Sequence, residues 1–220
     1  MKSLSSKSAR QSRGFSLLEM AIVMSMILIM ATVSFLSMQP MVKQQHVTNA
    51  YNTVLSAMRQ ARDNSVAQRT SYVVTLDSTT TPHSVTVAPT FVATQGIHPP
   101  ITYTLPGDVK FSVQAGIPTA PTKTPDGFGV GATPIDFGYT GQGVGVGGKN
   151  QIYFCPDGSA QDATGGAGQC TGNLNNGVVY MARSGELLSS RALTVWGATG
   201  RIRGWRLYTL GPGGVAWQRQ

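Results

Sequence analysis

Charge is scarce in this chain: of 220 residues only 12% are Asp, Glu, Lys or Arg, and only nine of those are acids. Combined with 26 glycines and 12 prolines, that scarcity argues against a helical bundle and for many turns and β-strands. Cysteine is almost absent too, represented by Cys155 and Cys170 alone. No second Cys or His stands at ligand spacing from either, so no metal site is expected. The three histidines, His46, His83 and His98, are scattered and without evident partners, which favours loop or helix positions over ligands and bases. A Ser-His-Asp arrangement, a P-loop and a paired-carboxylate signature are all missing. Gly143, Gly145 and Gly148 satisfy G-x-G-x-x-G spacing, but no clear strand precedes them and no helix follows, which argues against dinucleotide binding. The chain is expected not to be an enzyme, and no cofactor is expected.

Long apolar runs are also lacking, with one exception. From Leu17 to Met38 the chain is dominated by Leu, Ile, Val, Met, Ala and Phe, and Glu19 is the only charge. As a helix, these 22 residues would span ~33 Å, enough to cross a hydrocarbon core of ~30 Å. Residues 1–13 carry Lys2, Lys7, Arg10 and Arg13 and no acid. This basic flank places them in the cytoplasm and sends the remainder outward. An ionised acid in hydrocarbon costs at least ~2.5 kcal/mol, so such a group is normally partnered or functional. An ordinary secretory signal, cleaved behind small residues such as Ala31 or Ser34, would give Glu19 no role.

Arg13-Gly14-Phe15-Ser16-Leu17-Leu18-Glu19 resembles the processing site of type IV prepilins and type II secretion pseudopilins. The resemblance implies that prepilin peptidase cuts between Gly14 and Phe15 and methylates the new Phe15 amine. It also implies that Glu19 pairs with the Phe15 amine of a neighbouring subunit during assembly. The physical chemistry agrees, since pairing with a new N-terminal cation offsets the cost of a carboxylate in the membrane. The domain scheme that follows is a leader over 1–14, a membrane or filament-core half-helix over 15–38, an amphipathic half-helix over 39–70, and a β-rich domain over 71–220.

Removing the leader's four basic residues leaves 13 − 9 = +4 in side-chain charge, a mildly basic surface compatible with a polyanion. Beyond the span, Val47, Ala50, Tyr51, Val54, Leu55, Met58 and Ala61 recur at helical spacing, while Arg59, Arg62 and Asp63 lie off that stripe or at its edge. Pro40 is expected to kink or locally unwind the helix. After Thr70 the period becomes two. Strands are expected over Ser71–Asp77, Ser84–Val92, Ile101–Leu105 and Val109–Val113, the last two forming a hairpin across Pro106-Gly107-Asp108. Residues 114–149 are rich in Gly, Pro and Thr and read as a long loop or irregular insertion, with one short strand near Ile135–Phe137. Strands follow at Gln151–Phe154, Gly177–Ala182, Ala192–Trp196 and Arg201–Tyr208. In the last, Ile202 and Leu207 face opposite ways unless Gly204 marks a bulge. A long helix followed by an antiparallel sheet is an α+β fold.

The strand and turn at Ile152–Ala160, the Gly177–Gly185 hairpin and Gly200-Arg201-Ile202-Arg203 resemble the GspH/FimT group of minor pseudopilins and minor pilins. That likeness implies a structural subunit of a type II secretion pseudopilus or type IV pilus, anchored in the inner membrane with its C-terminal domain in the periplasm. Its partners would be other pilin or pseudopilin subunits and prepilin peptidase. In an oxidising exterior Cys155 and Cys170 would form a disulfide worth ~3 kcal/mol in the chain-entropy model, the alternative being two free thiols. Arg201 and Arg203, on one face of a strand, with Arg206 nearby but out of phase, suit phosphate binding. Trp205, Tyr208 and Trp217 could stack on bases. Gly-Arg-x-Arg tails occur in minor pilins associated with DNA uptake and also in secretion pseudopilins. DNA capture is therefore the alternative reading, and the competing one for the arginines is a charged strand edge that discourages aggregation.

Overall fold

The structure is a computed structural model that describes residues 16–91, 98–129, 133–139, 150–162, 169–211 and 213–220. Gly14 and Phe15, the sites of the expected cleavage and methylation, lie outside the described residues, as do Gly143, Gly145 and Gly148. The chain divides after Val42 into two units, Met1–Val42 and Lys43–Gln220.

Helix α1 runs over Leu17–Gln68, with Glu19 in its first turn and Pro40 inside it. The backbone is helical through Pro40, so the expected local unwinding does not occur. Its N-terminal part contains an 18-residue window of mean hydropathy 2.2 with no buried residue, long and apolar enough to cross a membrane. The few hydroxyls in this stretch bond back to the preceding turn: Ser25 to the Ile22 carbonyl at 2.7 Å, Thr32 to Leu28 at 2.9 Å and Ser34 to Met30 at 2.9 Å. Such bonds spare hydrocarbon an unsatisfied donor.

In the second unit the helix presents Val47, Ala50, Tyr51, Val54, Ala57, Met58 and Ala61 as one buried face. Among the described residues eleven strands follow: β1 Tyr72–Asp77, β2 Ser84–Pro89, β3 Ile101–Thr104, β4 Val109–Lys110, β5 Ile135–Tyr139, β6 Gln151–Phe154, β7 Ala160–Gln161, β8 Asn176–Arg183, β9 Arg191–Trp196, β10 Arg201–Leu210 and β11 Gly214–Arg219. They form two antiparallel sheets, ordered β3-β2-β1-β6-β7 and β11-β10-β9-β8-β4, with β5 also paired to β8. The architecture is α+β: the helix face packs against both sheets in one apolar cluster that includes Val74, Leu76, Ile152, Phe154, Met181 and Leu193. A second cluster of Ile117, Phe128, Val178, Tyr180, Leu207 and Trp217 lies on the other face of the second sheet.

Two expectations are corrected by this topology. β3 pairs with β2, while β4 pairs with β8. Pro106-Gly107-Asp108 is thus a crossing between sheets and not a hairpin. Asp108 anchors the crossing, 2.8 Å from Arg183 Nε and 2.9 Å from His46 Nδ1. Burial pushes the Asp108 carboxyl up, but the His46 hydrogen bond and the Arg183 charge leave it below its usual value. His83 is also partnered: its buried Nδ1 accepts from the Phe111 N–H at 2.9 Å. Burial, followed by the Lys110 charge, holds that imidazole below its ordinary value. Two of the three histidines are thereby structural.

The segment expected to be a loose insertion is partly core. Ile117 and Phe128 are 6% and 3% exposed, and they cap the second sheet on the side away from the helix. β8 is consequently buried along both faces. Its apolar run of Val178, Val179, Tyr180, Met181 and Ala182 reflects two coverings, where a half-exposed strand would alternate. Cys155 and Cys170 are joined in a disulfide with Cα atoms 5.9 Å apart.

Candidate functional site

Glu19 is exposed in the first turn of α1, where the Met20 N–H reaches the Ser16 carbonyl at 3.1 Å. A carboxylate there is favoured by the free N–H groups and the positive end of the helix dipole. The apolar residues around it, among them Leu17, Leu18 and Ile22, are also exposed. The helix thus offers a carboxylate on an otherwise hydrocarbon-like surface, suited to meeting a cation in a low-dielectric setting.

The C-terminal arginines lie on β10, whose register against β9 is regular: Arg201 opposite Trp196, Arg203 opposite Thr194, Gly204 opposite Leu193 and Arg206 opposite Arg191. Gly204 therefore makes no bulge, and Ile202 and Leu207 point into the two different clusters. Arg201 and Arg203 share a face, as the period-two spacing requires, but their surroundings differ. Arg201 is exposed. Arg203 has a side chain 23% exposed, donates from Nη1 to Asp126 Oδ1 at 2.6 Å and stacks 5.0 Å from the centre of the Trp196 ring.

Asp126 is the hub of this arrangement. It sits in the 3-10 turn Pro125–Gly127 with φ 54°, and its side chain is 6% exposed. Its Oδ2 accepts from the Trp196 indole at 3.0 Å and from the Thr194 hydroxyl. Thr194 Oγ1 in turn accepts from the Trp205 indole at 3.1 Å. Trp205 packs beside, and Trp217 within, the second cluster. Trp217 is thus mostly buried and Trp205 half-buried, so each spends much of its ring on packing within the domain. Arg206 lies on the opposite face, with its guanidinium 5.1 Å from the centre of the Tyr208 ring.

A groove of about 590 Å³ runs between α1 and the β9–β10 turn, lined by Arg59, Arg62, Trp196, Gly200, Arg201 and Arg203. Arg62 donates from Nε and Nη2 to the Thr199 carbonyl at 3.3 and 3.2 Å. Gly200 adopts φ +55°, and a Cβ there would run into the Gly158 carbonyl oxygen. The Pro-Asp-Gly turn and the Gly-Arg-x-Arg segment therefore meet directly. Arg59 and Arg62 were visible in the sequence only as residues off the apolar stripe, and nothing in the chain's local pattern joined them to Arg201. Among the described residues no group of three or more His, Cys, Asp or Glu could hold a metal ion.

Residues 9–35 match the family described as the prokaryotic N-terminal methylation motif. No curated protein and no solved structure matches the chain. The motif, which takes in the start of the apolar helix and is followed by an α+β domain, supports a type IV pilin-like or pseudopilin-like subunit. It implies processing by prepilin peptidase and assembly with other pilins, fits anchoring in the inner membrane, and suggests a structural, non-enzymatic subunit.

Proposed function

We propose that this chain is a minor pseudopilin or minor pilin of the GspH/FimT type, delivered to a type II secretion pseudopilus or a type IV pilus with its β-rich domain in the periplasm. The observation that carries the reading is Glu19, a carboxylate in the first turn of an apolar helix and inside the matched methylation motif. Cleavage after Gly14 frees the Phe15 amine, and Glu19 of one subunit pairs with that cation on the next. The apolar half-helix fills the filament core while the two sheets meet neighbouring subunits. Cys155 and Cys170 brace the Pro-Asp-Gly turn at Gly158, which abuts Gly200. Intact mass measurement of the mature protein is expected to show a methylated Phe15 at the N-terminus, and a start beyond Ala31 would refute the reading. Glu19→Leu is expected to leave cleavage intact and to reduce incorporation into filaments at least about tenfold, the equivalent of one charge-assisted hydrogen bond of ~1.5–3 kcal/mol.

The groove favours a second reading, capture of DNA for uptake. Arg59, Arg62 and Arg201 line one concave surface, and converging guanidiniums suit a phosphate backbone. Charge reversal at Arg59 or Arg201 is expected to weaken DNA binding. The slope of log affinity against log salt should also fall by about one for each phosphate that is no longer neutralised. Unchanged affinity in both variants would exclude DNA from this groove. Arg203 is a poor probe because its charge already serves Asp126.

A further inference from the structure

A second basic concavity lies elsewhere on the domain. A groove of about 450 Å³ is bounded by Gln44 and Val47 of α1, the turn at Leu187 and Leu188, and Arg191 and Arg206 at its base. Arg191 and Arg206 are direct cross-strand partners on β9 and β10, so their guanidiniums share one face at close range. Like charges placed this way repel. Arg191 is 5% exposed, and no ion pair to either arginine occurs among the described residues. Arg191 Nη1 is shared among the carbonyls of Leu188, Ser189 and Ser190 at 3.5, 3.3 and 3.2 Å. The Nε of Arg206 is shielded from solvent without a hydrogen-bond partner. Glu186 is the acid at the rim, but its carboxylate is held 2.6 Å from Arg183 Nη1.

Burial, and after it the neighbouring Arg206 charge, lower the Arg191 pKa to about 10. Even so, Arg191 is cationic at neutral pH, as guanidiniums in proteins generally are. A buried guanidinium beside a half-buried one, with no counter-charge on either, is costly for a fold to keep, because a buried charge normally requires an opposite partner. Opposing them are the apolar walls of Val47, Leu187 and Leu188, the last 48% exposed. Such walls suit an alkyl stem and disfavour a fully hydrated inorganic ion.

We propose that this groove is a binding site for an aliphatic carboxylate, a glutamate side chain or a free dicarboxylate, seated on Arg191 and Arg206 with its methylene stem against Val47 and Leu188. The planar guanidinium fork matches a carboxylate through two parallel N–H bonds. The ligand supplies the negative charge that neither strand provides. Arg206 is already set in place by the Tyr208 ring, so little ordering remains to be done on binding.

The test uses the full chain in detergent micelles, labelled with 15N-arginine, at constant ionic strength. The Nε–Hε resonances of Arg191 and Arg206, assigned from the R191K and R206K variants, are followed during titration. Glutarate is expected to shift both resonances saturably, and phosphate, which has no methylenes to bury against the apolar wall, to shift them about tenfold more weakly at equal concentration. A short acetylated peptide with one central glutamate separates the sources. Tighter binding of the peptide than of glutarate points to a protein ligand, and the reverse to a free dicarboxylate. Leu188→Glu, at an exposed wall position, is expected to raise the unfolding temperature and to block glutarate by seating its own carboxylate. An absence of saturable shift, equal response to phosphate, an equal response at Arg59 and Arg201, or an L188E variant that binds glutarate normally would each overturn the proposal.

Discussion

Asp126→Asn is expected to destabilise the folded domain by about 3 kcal/mol, although the substitution changes neither the size nor the shape of the side chain. One carboxylate accepts hydrogen bonds from Arg203, Trp196 and Thr194. The amide keeps at most one acceptor oxygen, and its NH2 faces donors. The Arg203 charge, 23% exposed, then loses its counter-ion inside a partly desolvated pocket. Asparagine tolerates the left-handed φ of 54° at this position, so the backbone is not the cause. Asp126→Ala should cost roughly 1 kcal/mol more because alanine resists that conformation. In thermal unfolding of the full chain in detergent, D126N should lower the midpoint by about 10 °C. A double variant with Arg203→Met should recover part of the loss, since the unpaired charge has gone. If D126N shifts the midpoint by less than about 2 °C, Arg203 is not held by Asp126 in solution.

Gly204→Ala is expected to cost about 3 kcal/mol, an unusual amount for one methyl group. The Tyr51 hydroxyl lies directly over Gly204, so a Cβ would overlap it and would stand 2.7 Å from Cζ. Tyr51 is 8% exposed among the buried residues of α1, and close packing leaves its ring little room to withdraw. The methyl group must therefore separate the helix from β10 or force the tyrosine off its rotamer. Tyr51→Ala should itself be destabilising through the cavity it leaves. Combined with Gly204→Ala it should be markedly less harmful than the sum, with coupling of about 1–2 kcal/mol in a double-mutant cycle. Additive effects would show that the helix and strand do not depend on this packing.

How much of the fold and the grooves was legible depends on whether the deciding interaction is local. The buried face at Val47, Ala50, Tyr51, Val54, Met58 and Ala61 follows from helical spacing alone. The period-two spacing of Arg201 and Arg203 correctly placed them on one face. What it lacked was Asp126, 77 residues earlier in a Gly- and Pro-rich stretch without periodicity. The same stretch supplies Ile117 and Phe128, isolated apolar residues whose burial becomes clear only once they cover a sheet. Pro106-Gly107-Asp108 has the composition of a hairpin turn. Composition reports that the chain turns, but not which strand lies beyond. The partners of Asp108, His46 and Arg183, are 62 and 75 positions away in opposite directions along the chain. Such pairings leave no mark on any window of sequence.

That crossing at Pro106–Asp108 also governs how the domain comes into being. The chain lays down β1 to β3 in one sheet, β4 and β5 in the other, returns to the first with β6 and β7, and finishes in the second. Strand β1 at Tyr72–Asp77 gains one of its two neighbours only when Gln151–Phe154 arrives. Neither sheet is a contiguous piece of polypeptide, so neither can be completed before late portions exist. Pairings of such long range make folding slow and close to all-or-none. The shared core therefore closes only when nearly the whole length of the domain is available, so a chain cut short before β8 would lack a partner for β4 and most of the second sheet.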